Sequence, residues 1–187
     1  MNTITTTLTT EAVFSDDGQK RYTLCKTWDT SLPKLAIIML APSEASGIVL
    51  DSTTLLVLNN ASRLGYGSVS ILNLFARVND FNLTQAEEQD EENLRYIKEE
   101  VSKADTVVYA AGVGKKSNKK FLKRESQVME ALRAVEDKLY CIGNASGSAK
   151  MQHPLSPAVR EWVLYRLDGK AEVKEAEVKK RGRPKKD

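Results

Sequence analysis

The chain carries a single histidine, His153, within Gln152-His153-Pro154-Leu155-Ser156-Pro157. Two prolines stiffen that run, and an imidazole held at a helix entrance can donate to an atom on which negative charge develops. The same residue also reads as a packed or solvent-facing loop histidine. Asn73 ends the apolar run Ile71-Leu72-Asn73, and its amide offers one donor group and one acceptor, which suits the edge of a base. An asparagine at a strand end also serves as a simple loop cap. Glu44 and Asp51 follow an earlier apolar run and could place a water, since general-base work depends first on reach. Pro42 and Ser43 border that run, and Phe75 could stack on a flat ring or fill the core.

Other candidates are weaker. Gly112-x-Gly114-Lys115-Lys116 suggests a phosphate-facing turn, but neither the full P-loop pattern nor the dinucleotide pattern is present. The acidic run from Glu87 to Glu92 reads as a solvated helix start. One histidine, scattered carboxylates, and Cys25 and Cys141 without C-x-x-C spacing make no coordination set. No metal, cofactor or disulfide framework is expected, and both thiols read as reduced and buried.

These residues need elements to position them. The sequence has 187 residues, 41% hydrophobic and 28% charged, the balance of one globular domain with a buried core. Its longest apolar run, Leu35 to Pro42, is too short to span a bilayer, and Met1 to Thr10 lacks the order of a signal peptide, so a cytoplasmic protein without membrane contact is expected. Leu35–Ala41, Ser68–Ala76, Thr106–Gly112 and Lys138–Gly143 are nearly continuous apolar runs, as expected of strands covered on both faces. Between them the pattern predicts helices over Ser52–Leu64 with Ser52 as N-cap, over Asp90–Lys103, and over Lys119–Val135. Ser156-Pro157 predicts the start of a last helix through Trp162, Tyr165 and Arg166, ending near Gly169. Ala12–Phe14 and Arg21–Lys26 flank a turn-like Ser15-Asp16-Asp17-Gly18 and predict a hairpin. The fold class is α/β: a three-layer α/β/α sandwich with a mainly parallel central sheet over residues 1–168. In such a sheet, ligands bind beyond the carboxyl ends of the strands.

Charge is unevenly placed. The formal net charge is +3, while residues 169–187 hold eight Lys or Arg against four Asp or Glu, so the body is close to neutral. With two valines as its only large apolar residues, this tail is predicted to be disordered, and attraction to polyanions is carried on it. Arg181-Gly182-Arg183-Pro184, flanked by Lys180 and Lys185, resembles an AT-hook, in which arginines reach along a narrow A·T-rich minor groove. The same residues also read as a basic tail that contacts phosphates without reading sequence.

Met39-Leu40-Ala41-Pro42-Ser43, Asp51-Ser52-Thr53, Gly65-Tyr66-Gly67, Asn73-Leu74-Phe75-Ala76, Asn93 and His153-Pro154-Leu155 resemble, in that order, the family called domain of unknown function 1643. The resemblance extends over most of residues 20–157 and implies a bacterial or phage source. More distantly, the strand end at Pro42, the strand through Asn73 and the His153-Pro154 loop resemble the uracil-DNA glycosylase superfamily. That resemblance implies that Asn73 reads a base edge and that His153 supports the leaving base. It also calls for Asn or Asp at residue 41, where this chain has Ala41, so Glu44 or Asp51 would have to supply the carboxylate. Ser46, Ser52 and the Ala110-Ala111-Gly112 run are further departures from the family pattern.

Three functions remain open from the sequence. One is a DNA-binding protein, associated with nucleoid or phage DNA, that recognises a nucleobase and hydrolyses its N-glycosidic bond. Another is a noncatalytic DNA-binding accessory, which Ala41 favours. The last is an enzyme acting on free nucleosides or nucleotides. Protein partners are not indicated.

Overall fold

The computed structural model describes residues 3–44, 47–87, 89–112, 117–148, 150–168 and 173–174. Among the described residues, eight strands form one sheet: β1 (Thr9–Phe14), β2 (Arg21–Thr27), β3 (Lys34–Met39), β4 (Ser68–Asn73), β5 (Thr106–Tyr109), β6 (Leu139–Gly143), β7 (Val163–Arg166) and β8 (Val173–Lys174). Their order across the sheet is β1-β2-β4-β3-β5-β6-β7-β8. The four central strands, β4, β3, β5 and β6, are mutually parallel, whereas the pairs at both margins are antiparallel. The sheet is therefore mixed, which corrects the expectation of a mainly parallel one. β1 joins β2 and β7 joins β8 through short connections, and the connection from β6 to β7 contains, among its described residues, no α-helix to carry the chain back for a parallel pairing.

Three α-helices among the described residues complete the α/β fold: α1 (Ser52–Arg63), α2 (Glu91–Lys103) and α3 (Lys119–Leu132). The cap of α1 is Asp51, not Ser52: the Asp51 carboxylate accepts from the Thr54 amide at 2.6 Å. Asp90 and Asn118 cap α2 and α3 in the same way. Helix α3 is shorter than its apolar stripe suggests, because Arg133–Lys138 continues as a tighter 3-10 segment with a non-helical Val135.

Alternate strand residues separate into two apolar clusters. Ala36, Ile38, Leu72, Val107 and Tyr109 pack with Ile97 and Val101 of α2 and with Phe121 and Val128 of α3. Leu35, Ile37, Val69, Ile71 and Val108 pack with Val57 and Ala61 of α1 and with Trp162. Burying one such side chain stabilises the fold by roughly 1.5–3 kcal/mol, so these two clusters dominate its stability. The connections also diverge at β3. Chain leaving β3 passes through α1 to β4 on one side, and chain leaving β4 passes through α2 to β5 on the other. Divergence of this kind opens a crevice at the carboxyl end of the strand.

The predicted C-terminal helix is not formed. Pro157–Val159 makes one 3-10 turn, and Val163–Arg166 then pairs antiparallel with β6. Trp162, Tyr165 and Arg166 fit a helical stripe, but so short a run also fits a strand. Pairing with β6 and burial of Trp162 under α1 favour the strand. Asn60 and Arg63 of α1 fix this segment by bonding the Trp162 amide at 2.9 Å and its carbonyl at 2.7 Å. Within 169–187 the described residues Val173–Lys174 pair with Leu164 and Tyr165 as the last strand of the sheet. The AT-hook-like residues Lys180 to Lys185 lie outside the described residues.

The predicted hairpin is present as β1 and β2, and it contains the feature that shapes the site. Val13 pairs with Thr23 but Phe14 pairs with Arg21, so Tyr22 is an extra residue in β2. Strict alternation back from Leu24, which packs on the α1 side, would place Tyr22 there and Arg21 on the α2 side. The bulge exchanges them. The Tyr22 ring stacks on Tyr96 of α2 with centroids 5.0 Å apart, and Arg21 turns toward the N-terminus of α1.

Candidate functional site

A cavity of about 330 Å³ opens at the carboxyl end of β3. Arg21, Ser43, Asp51 and His153 supply polar groups, while Met39, Leu40, Ala41, Phe81, Ala111 and Leu155 supply apolar wall.

Asp51 projects from the first turn of α1. Its carboxylate accepts from the Thr54 amide and from the Ser43 hydroxyl. Burial alone would raise its pKa, but the Ser43 and Thr54 hydrogen bonds and the Arg21 charge outweigh burial and hold it below the ordinary carboxylate value. Asp51 is therefore ionised at neutral pH.

His153 stands opposite in charge state. Burial lowers its pKa below 6.5, against a smaller opposing effect of Asp51, so the ring is neutral. The Leu155 backbone N–H donates to Nδ1 at 3.2 Å, which leaves the proton of the neutral ring on Nε2. The loop is anchored where the Gln152 amide donates to the Ile142 carbonyl of β6 at 3.1 Å. Gly112 lies beside it in a conformation that favours glycine. Its φ is +80°, and a Cβ there would lie 3.4 Å from the Cβ of His153.

Arg21 is 2% exposed, yet it lines the cavity. Its guanidinium donates to the Ser43 carbonyl at 3.3 Å and to Oδ1 of Asn73 at 3.4 Å. Burial pulls its pKa down to about 10, with Asp51 acting in the opposite direction, so it remains a cation. The sequence analysis did not single out Arg21, because alternation points it away from this face.

Asn73 and Phe75 lie deeper than their predicted roles suggest. Asn73 is 1% exposed and connects to the cavity through Arg21. Its own backbone is fixed by Asn93, which donates to the carbonyls of Asn73 and Leu74 at 3.1 Å each, and by Arg124, which donates to the Leu74 carbonyl at 2.8 Å. Phe75 packs in the cluster beneath α2 and α3.

The aromatic ring at the cavity is instead Phe81, displayed by the loop after β4. That loop turns through left-handed Asn79 and Leu83 on either side of it, and Asp80 clamps it by accepting from Thr84 and Gln85. Pro42 is buried and accepts from the Asn79 amide. Glu44 is exposed, accepts from the Asn79 side chain at 2.7 Å, and borders an adjoining groove rather than the cavity itself. Ser43 and Asp51 border both.

A larger cavity, about 490 Å³, lies at the opposite, amino end of the parallel strands. Glu100 dominates it, accepting from Lys34 at 2.8 Å, Lys103 at 3.0 Å and Ser70 at 2.7 Å. Half-buried Cys25 lies 3.2 Å from the Ser70 hydroxyl, and both it and Cys141 are free thiols. Among the described residues, no group of three or more His, Cys, Asp or Glu could hold a metal ion. Among the described residues, no helix is long and apolar enough to cross a membrane.

The model of a family described as protein of unknown function (DUF1643) matches residues 21–155. Nothing among curated proteins or solved structures matches the chain. The family match begins at Arg21 and ends at Leu155, so it takes in every residue that lines the cavity at β3 as well as most of the chain. The protein belongs to the DUF1643 family.

Proposed function

We propose that this protein binds DNA, takes one nucleobase into the cavity at β3, and hydrolyses the N-glycosidic bond of that base. One observation carries the reading: an ionised carboxylate, Asp51, and a neutral imidazole with its proton on Nε2, His153, line one apolar-walled cavity. Its volume lies at the lower end of small-molecule sites, and its walls suit a flat ring. Extrusion of a base from the stack would bring the ring there.

In the proposed step, water attacks C1′ while the C1′–N bond breaks and its electron pair departs on the base. Asp51 orients the water and takes one of its protons. The Nε2–H of His153 stabilises the charge on the departing base, which is then protonated on release. Asp51 is preferred over Glu44 because Asp51 faces the same cavity as His153. Asn73 acts here as a positioning residue for Arg21 rather than as a direct base reader.

The distant likeness to uracil-DNA glycosylases is in keeping with this chemistry. So is a three-layer reading of the fold, supported by the two clusters on opposite sides of the strands. The basic arm from Lys180 to Lys185 would hold the cavity near A·T-rich duplex and raise its local concentration on DNA.

The test is abasic-site formation on single- and double-stranded oligonucleotides carrying uracil, hypoxanthine or alkylated bases. Asp51→Asn and His153→Ala are each expected to lower turnover by about 10²–10⁴-fold. No abasic product from any of these substrates removes the catalytic part.

Ala41 supports a second reading, because it forms cavity wall at the position where the resemblance calls for a water-binding side chain. In that reading the protein recognises a base without cleaving it. His153→Ala would then weaken binding to base-modified DNA while the intact protein shows no turnover.

A further inference from the structure

We propose that Arg21 is the specificity-determining residue of the cavity, selecting bases that present an oxo oxygen and excluding bases that carry positive charge. This inference rests on the nucleobase reading above and names the class of base.

The argument begins with placement. A surface arginine could drift toward any ligand, but Arg21 is buried, and the extra residue Tyr22 is what turns it to the α1 side. Two bonds then fix its direction, one to the Ser43 carbonyl and one to the side chain of Asn73. Asn93 and Arg124 in turn immobilise the peptide that carries Asn73. A guanidinium held this way can present a directed donor rather than a diffuse charge.

The electrostatic surroundings sharpen the choice. Asp51 is the carboxylate of the cavity lining, and its two oxygens already accept from Thr54 and Ser43. His153 is neutral and offers a donor. Lys26, on the same strand and fully buried, donates to the Thr10 hydroxyl at 3.0 Å and to the Gly47 carbonyl at 2.6 Å, partners that do not neutralise its charge. Lys26 lies toward the other end of β2, outside the cavity lining, so within the lining Arg21 carries the positive charge and Asp51, with both oxygens engaged, the negative one.

An oxo oxygen gains a charge-assisted hydrogen bond in this setting. An exocyclic amino group meets donor against donor, and a ring cation meets like charge between apolar walls. Negative charge delocalised onto an oxo oxygen as the base departs would also be stabilised by the guanidinium charge.

The full-length protein is titrated with uridine and inosine, which present oxo oxygens, with adenosine, and with N7-methylguanosine in its cationic form. Uridine and inosine are expected to bind about tenfold tighter than adenosine, with N7-methylguanosine the weakest. Arg21→Gln should erase this ranking. Arg21→Lys, which keeps the charge without the planar fork, should still exclude the cation while losing part of the oxo preference. Thermal unfolding of both variants establishes that they fold, and Arg21→Lys carries the test if Arg21→Gln does not.

Nucleoside binding without this ranking, or a ranking unchanged in both variants, overturns the role of Arg21 and leaves the base reading intact. Absence of binding to every nucleoside and every modified oligonucleotide overturns both.

Discussion

Two polar clusters close the two ends of the same sheet, and they differ in whether burial prevails at any of their groups. At the amino end, burial acts to raise the pKa of Glu100, but Lys34, Ser70 and Lys103 outweigh it and bring the pKa down to about 2. The folded state therefore favours the charge it buries. At the carboxyl end, Asp51 behaves as Glu100 does, its hydrogen bonds outweighing burial, whereas burial prevails at Arg21 and at His153, whose pKa values both fall against a smaller opposing effect of Asp51. There the folded state holds groups at a cost, facing a cavity that a ligand can fill. Cavity size alone would have pointed to the amino end, at about 490 Å³ against 330 Å³. The carboxyl end is instead where groups whose pKa burial shifts face a cavity beside an ionised carboxylate, the features that mark a candidate site.

Three measurements can break or sharpen that contrast. The largest effect is expected at the amino end. Glu100→Ala leaves Lys34 without its carboxylate and Ser70 without its acceptor, and should reduce unfolding free energy by about 3 kcal/mol in a urea titration. Nucleoside binding should stay at the wild-type value, and a parallel loss of binding would show that the two ends are not separate. The same carboxylate makes the wild type acid-sensitive. Its folded pKa lies below the unfolded value of 4.5, so its contribution is complete above 4.5 and is lost as pH falls from there toward 2.

A smaller effect is expected at the cavity mouth. Phe81 is 48% exposed, so Phe81→Ala should leave stability within about 0.5 kcal/mol of wild type. It should weaken nucleoside binding by about 1–2 kcal/mol if the ring stacks on the base. A stability loss without a binding loss would make Phe81 a structural prop.

The smallest effect concerns His153. Its folded pKa lies below the unfolded value of 6.5, so the unfolded chain takes up the proton first as pH falls. Stability from this group is therefore full above 6.5 and declines below it, at about 1.4 kcal/mol for each unit of pKa difference. His153→Gln should remove that decline from a plot of melting temperature against pH. If the slope persists in the variant, the titrating group lies elsewhere.

The carboxyl-end residues differ in how visible they are without a structure. Asp51 and His153 stand out because carboxylates and a lone imidazole beside prolines are chemically distinctive wherever they fold. Asn73 is equally visible, but its depth is not, since burial depends on Asn93 and Arg124, twenty and fifty-one positions further along the chain. Phe75 and Phe81 look alike as isolated phenylalanines near the end of one strand. Packing of α2 and α3 over the sheet buries the first, and the Asp80 clamp displays the second. Arg21 is hidden for a sharper reason: the alternation that identifies β2 points it to the wrong side, and the extra residue appears only when β1 pairs.

Local pattern settled the central strands β3 to β6, the helices α1 to α3 and the hairpin, because continuous apolar runs and helical stripes record burial directly in residue order. It also confined the candidate chemistry to a few polar residues at strand ends. Whether Trp162 to Arg166 would be helix or strand, which phenylalanine would meet the cavity and which cation would enter it were decided only in three dimensions. Each of those outcomes depends on a partner far away in the chain, and a short segment that satisfies two local patterns is assigned by the contacts it finds.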